Sequence, residues 1–190
     1  AEKKAAEVAA RKQKAADRLN KHRADLDAHE KKYQDLAEDP SLTKKQQGGH
    51  KAKVTEAKGE KAATDYMESQ MPDHELVSGF APGTGFDQVY YKYGPDGTVE
   101  EILIVEAKGQ GAKLSTNAQK GAQMSKKWVQ NTVDEMLDSS DSEVAELAEA
   151  IDKGLKTGTP KVRGIALEAT GDASVAKQVP CPPPHSGTYN

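Results

Sequence analysis

Cysteine is nearly absent: Cys181 is the one example in 190 residues. That excludes an intrachain disulfide and any cysteine-rich zinc site. Aromatic residues make up 5% and hydrophobic residues 35%, too little apolar material for a core spanning the whole length. Residues 1–70 hold no Ile, Phe or Trp, whereas 76–168 carry most of the large apolar side chains. This distribution predicts a compact core of roughly 90–100 residues preceded by a solvated helical arm. No apolar run is long enough to span a membrane, and no signal peptide is recognisable. The sequence opens at Ala1 inside a helical pattern, as expected of a piece cut from a longer polypeptide. The five histidines (His22, His29, His50, His74, His185) show no metal-ligand spacing.

Charge is plentiful but balanced, with a net of −3, and by itself it names no partner. Residues 1–70 carry 16 Lys/Arg against 13 Asp/Glu, and 71–190 carry 11 against 17. An acidic core domain is unfavourable for binding nucleic acid. Eight of its carboxylates, however, lie between Asp134 and Asp152, and Lys108, Lys113, Lys120, Lys126 and Lys127 precede them. One basic and one acidic face would reconcile the two facts.

Residues 2–36 are rich in strong helix formers with a thin apolar stripe, which suits a weak coiled coil, a helical hairpin or a spacer. Asp39-Pro40-Ser41 and Gly48-Gly49 read as breaks, and 51–70 as helix again. From Met71 the texture changes. Residues 80–86 read as a Gly-rich loop, 86–93 as a strand, Gly94-Pro95-Asp96-Gly97 as a turn, and 98–107 as a second strand containing Ile102-Leu103-Ile104-Val105. Residues 116–137 carry a helical stripe beside Trp128. A second helix is expected over 142–155, with Ser142 as N-cap and Gly154 near its end. Residues 162–170 read as a last strand and 179–190 as a proline-rich tail. The fold class is α/β: a small mixed sheet with a central hairpin, flanked by helices. The expected division is an arm over 1–70, a domain over 71–172 and a tail over 173–190.

The hairpin is where chemistry can assemble. In its simplest register Tyr93 and Thr98 flank the turn, so Asp87 faces Ile104 and Val89 faces Ile102. Alternate residues share a face, which puts Asp87, Glu106 and Lys108 on one side at the open end. A slip of one residue would separate them. Two carboxylates so close repel unless a cation lies between them, and oxygen-only donors favour Mg²⁺ or Mn²⁺. The backbone carbonyl of Ala107 is a further candidate ligand. Lys108 would orient a water or offset charge developing on a phosphorane. These are the parts that phosphodiester hydrolysis needs.

Asp87 followed after eighteen residues by Glu106-Ala107-Lys108 behind an apolar strand resembles the PD-(D/E)XK phosphodiesterases, the fold of restriction endonucleases and many repair nucleases. More narrowly, three segments resemble nuclease domains at the C-termini of bacterial polymorphic toxins. They are Gly83-Thr84-Gly85-Phe86-Asp87-Gln88-Val89-Tyr90, Ile104-Val105-Glu106-Ala107-Lys108-Gly109, and Gly121-Ala122-Gln123-Met124-Ser125 with Trp128. The resemblance covers roughly residues 70–170. It implies a restriction-endonuclease-like core in which Asp and Glu bind the metal and Lys assists catalysis. It also implies a helix glutamine, here Gln119 or Gln123, and a glutamate on the preceding helix, for which Glu68 and Glu75 are the candidates. Toxins of this group are delivered into competitors by secretion systems, act in the target cytoplasm and are neutralised by a cognate immunity protein.

Glu-Ala-Lys-Gly occurs twice, at 56–59 and at 106–109. The first copy lies in a charged helix and reads as a solvated face. The second follows four large apolar residues, where charge is costly without a task. The expected activity is therefore a Mg²⁺-dependent nuclease, with DNA preferred as substrate. Lys113, Lys120, Lys126 and Lys127 are candidate phosphate contacts. The rivals are an RNase of the same fold, cutting for example tRNA, and a non-catalytic helical adaptor in which 1–70 carry the function. His74 is a minor alternative site residue.

Overall fold

The computed structural model describes residues 2–79, 85–116, 119–170 and 175–179. Gly83, Thr84, Ala118, Cys181 and His185 therefore lie outside the described residues. Among the described residues the fold is mixed α/β, with four helices and a five-stranded mixed sheet.

The N-terminal third is a helical hairpin, α1 (Glu2–Glu38) and α2 (Lys44–Gln70). A capping box starts α2: the Thr43 side chain accepts from the Gln46 amide while the Gln46 side chain accepts from the Thr43 amide. The expected break at Gly48-Gly49 does not occur. Both glycines are taken into α2, where a side chain would meet open space. The hairpin buries few large side chains and is held largely by polar contacts. Arg23 pairs with Asp65 and Glu68, and Lys61 pairs with Asp27 and Glu30.

The sheet runs β1 (His74–Gly79), β2 (Gln88–Tyr93), β3 (Val99–Lys108), β4 (Lys161–Thr170) and β5 (Val175–Val179), neighbours in that order. Only β3 and β4 are parallel, and α3 (Lys126–Leu137) and α4 (Ser142–Thr157) form the crossover between them. Strands β1 and β5 add to the sequence expectation, and β5 takes part of the stretch read as tail. The helix expected over 116–137 begins only at Lys126, capped by Ser125. Ahead of it Gly121 and Met124 hold positive φ, +89° and +64°, which a helix cannot continue through. At α4 the cap is Asp141, whose carboxylate accepts from the Glu143 and Val144 amides, and Ser142 is the first helical residue. The helix closes on Gly158, in the left-handed conformation, rather than near Gly154.

Two apolar layers sandwich the sheet. On one face Val89, Ile102, Ile104, Val162 and Ala166 pack under Val129, Val133 and Met136 of α3 and Leu147, Ala148 and Ile151 of α4. On the other, Tyr90, Leu103, Val105, Ile165 and Leu167 pack under Ala62, Ala63 and Met67 of α2. The division into an arm over 1–70 and a domain from 71 thus needs correction, because α2 is one of the layers of the core. Its small residues hide this in the sequence. They let the helix approach closely in place of burying large side chains.

Candidate active site

The hairpin register differs from the simplest one by two residues. Val89 pairs with Ile104 and Gln88 with Val105, and an irregularity beside Tyr93 leaves Glu100 as the extra residue. A shift of two preserves the face of every side chain, where a shift of one would have inverted it. Asp87, just ahead of β2, comes level with Glu106 rather than diagonal to it. Its Oδ2 accepts from the Ala107 amide at 2.8 Å, which ties the loop before β2 to the end of β3.

Glu106 is 3% exposed, and two donors converge on its Oε1. The Lys108 ammonium lies 2.5 Å away and the Gln123 amide donates to the same atom. Four of the expected residues, Asp87, Glu106, Lys108 and Gln123, are therefore in one cluster. Burial, then the Asp87 charge, pushes the Glu106 carboxyl up to about 8 against the opposing pull of Lys108. Burial also raises Asp87, offset by the Ala107 amide and Lys108.

The helix glutamate of the cluster is neither of the two candidates. Glu68 is paired with Arg23, and Glu75 with Arg11 at 3.0 Å. Glu60 of α2 is instead the buried helix glutamate on which the charges of Asp87 and Glu106 act. It is 5% exposed, and its Oε2 has no hydrogen-bond partner among the described residues. Burial, followed by the charges of Asp87, Glu56 and Glu106, pushes it up to about 9. Its position follows from a close approach: a Cβ on Gly59 would lie 2.5 Å from the Gly109 nitrogen, and one on Gly109 would lie 2.4 Å from the Thr55 side chain. The two Glu-Ala-Lys-Gly copies thus abut, and the first is a solvated face only at Glu56 and Lys58, since Ala57 and Gly59 are buried. Helical periodicity could have found Glu60, because it shares the buried stripe with Ala63, Thr64 and Met67 at the i, i+3, i+4, i+7 spacing.

The remaining expectations scatter. Gln119 is exposed. Lys113, Lys126 and Lys127 are exposed, and Lys120 is engaged by Glu135 at 2.6 Å. His74 lies at the other end of the sheet, between Asp73 and Glu101. Ala107 is flanked by the site residues, and its amide serves Asp87.

No group of three or more Asp, Glu, His or Cys among the described residues is arranged to hold a metal ion. The donor chemistry nonetheless suits a hard cation. Glu106 and Glu60 are almost fully buried, the charges of Asp87 and Glu106 both act on Glu60, and Glu60 Oε2 has no hydrogen-bond partner among the described residues. Protons or a cation must neutralise such a group. No helix among the described residues is long and apolar enough to cross a membrane. The chain has no significant match to any family model, curated protein or solved structure.

Proposed function

We propose that this chain is a metal-dependent nuclease with a PD-(D/E)XK core, in which Glu60, Asp87 and Glu106 hold Mg²⁺ or Mn²⁺. The observation that carries the reading is the buried Glu60, whose Oε2 has no partner among the described residues and which feels the charges of Asp87 and Glu106, with Lys108 paired to Glu106. Structural carboxylates are buried with their hydrogen bonds satisfied, so a buried carboxyl oxygen with no partner supports a ligand-binding role. A bound divalent ion supplies Lewis-acid polarisation of a phosphodiester oxygen and a water acidic enough to attack it. The protein's own groups do the rest. Ala107 and Gln123 fix the two carboxylates through the contacts described above. Lys108 stands where its charge can offset that developing on the phosphorane. DNA is the favoured substrate. On the motif resemblance, the physiological role is that of an antibacterial toxin domain delivered to competitors and held in check by an immunity protein.

Incubation of purified protein with plasmid DNA and with total RNA, with Mg²⁺ and with EDTA, tests the proposal. Digestion that EDTA stops, and that folded Asp87→Ala and Lys108→Ala proteins lack, is the expected result. Digestion indifferent to EDTA, or full activity in either variant, would sink it. Digestion of RNA alone would select the RNase alternative.

A further inference from the structure

On the face of the sheet that carries Asp87 and Glu106, α3 and α4 cover β3 and β4 and leave β1 and β2 partly bare. The bare strip is the floor of an open groove of about 520 Å³. It begins at Ser78 and Gly79, the end of β1 that pairs with Gln88 and Val89 next to Asp87. It reaches Tyr93 at the far end of β2, five residues on, roughly 17 Å away.

The two walls differ in charge. Along α1, Lys14, Arg18 and Lys21 line the groove. They recur at i, i+4 and i+7 and cover about 10 Å of helix. Lys21 is bound by Asp25 at 2.5 Å, whereas Lys14 and Arg18 have no ion pair among the described residues. Arg18 is half-buried, and its charge bears on the hydroxyls of both Tyr91 and Tyr93. Across the groove stand Asp141, the N-cap of α4, and Glu143 and Glu146 of α4 itself. The floor between the walls holds the half-buried rings of Tyr91 and Tyr93, the latter with the Arg11 guanidinium 3.8 Å from its centroid.

We infer that this groove binds a single nucleic-acid strand leading to or from the carboxylate site. The inference rests on the nuclease reading above. Asymmetry selects the ligand. A duplex presents phosphates on both flanks, and one flank would face Glu143 and Glu146. A single strand has phosphates on one side and bases on the other. Its phosphates meet Lys14 and Arg18, its bases lie over Tyr91, and its exocyclic amines donate to the α4 carboxylates. An anionic ligand without bases has no use for the acidic wall.

Fluorescence anisotropy decides it, using Asp87→Asn protein in EDTA so that nothing is cut. The probes are a 5′-labelled twelve-nucleotide strand and its duplex. The strand is expected to bind at least about tenfold tighter than the duplex. A Lys14→Ala/Arg18→Ala double variant, altered only on the groove-facing side of α1, should weaken strand binding by about tenfold and lower the salt slope by about two. Tyr91→Ala should cost about tenfold through lost stacking. Glu143→Gln/Glu146→Gln should narrow the gap by admitting the duplex. Equal binding of strand and duplex, or a double variant that binds as the parent does, overturns the groove. Failure of either probe to bind also overturns it and leaves the groove to a polypeptide. If the parent protein digests nucleic acid while the groove variants bind normally, only this inference fails. If the parent digests nothing with Mg²⁺, the nuclease reading fails instead.

Discussion

The same substitution at three glycines of α2 should change stability in opposite directions. At Gly48 and Gly49 an added Cβ meets nothing within 4 Å, so Ala gains helix propensity and restricts the unfolded chain, about 0.5–1 kcal/mol each. At Gly59 the same carbon lies 2.5, 2.6 and 2.7 Å from the Gly109 nitrogen and the Lys108 carbonyl carbon and oxygen. An unstrained contact needs about 3.5 Å, so α2 must retreat by about 1 Å. The atoms in the way are all backbone, and no side-chain rotation relieves them. Overpacking of this kind costs about 1–3 kcal/mol, and the rigid obstacle places Gly59→Ala at the upper end. Net of the propensity gain, it should be destabilised by about 1–2 kcal/mol. The retreat also draws Glu60 away from Asp87 and Glu106, so activity should fall further than stability alone explains. Urea unfolding followed by circular dichroism reads the three midpoints. A Gly59→Ala protein as stable as the parent would refute the claim that the Gly59–Gly109 approach sets the position of α2.

Glu60→Gln keeps the shape of the side chain but removes a carboxylate from the crowded group. It should leave folding intact in metal-free protein and lower phosphodiesterase activity by at least about a hundredfold; retained turnover would exclude Glu60 from the site. Mn²⁺ titrated into the parent should raise its melting temperature, with a gain of about 2.7 kcal/mol when the ion is at one hundred times its Kd. Asp87→Asn should show no such rise, and an equal rise in that variant would place the ion elsewhere. Burial, then Arg23, depresses His22 from the ordinary imidazole value of 6.5 to about 4, against an opposing pull from Asp25. The unfolded chain therefore binds the extra proton in between. The stabilisation this gives is complete above pH 6.5 and falls away as pH drops towards 4, by up to about 3 kcal/mol. His22→Gln should flatten the stability profile over that window, and an unchanged profile would mean that other groups govern acid unfolding.

The hairpin and its three polar residues were legible because a strand has period two. Even a register wrong by two residues kept Asp87, Glu106 and Lys108 on one face. Other elements were hidden for physical reasons. The irregularity between Leu76 and Ser78 breaks the alternation that would have marked β1. The stretch before α3 is composed like a helix, but Gly121 and Met124 take left-handed conformations that composition does not encode. The importance of α2 was hidden by its economy in large side chains: Ala57, Ala62 and Ala63 are fully buried, yet alanine in a Lys- and Glu-rich segment reads as solvated helix. Glu60 is hidden for the same reason, since the small residues that share its stripe do not mark that face of α2 as buried.

Glu60 is held in place through its backbone as much as its side chain. Its carbonyl accepts from the Thr64 hydroxyl at 2.9 Å and from the Gln88 amide at 2.9 Å. The same Gln88 amide reaches the Thr64 oxygen, and the Gln88 carbonyl accepts from the Tyr90 hydroxyl at 2.8 Å. Thr64 has a single proton, already given to Glu60. Its oxygen can therefore only accept from Gln88 and from His22 Nε2 at 3.0 Å. That assignment puts the imidazole proton on Nε2 and leaves Nδ1 without a partner among the described residues, as found. Nδ1 looks onto Gly79, where a Cβ would lie only 2.7 Å away. One buried polar chain thus runs from α1 through α2 to β2 and ends one residue from Asp87. Through it α1, the helix that contributes least to the apolar core, is tied to the backbone of Glu60 and to the residue that follows Asp87. On the nuclease reading proposed above, the N-terminal hairpin helps to position the carboxyls and is not only the segment that precedes them.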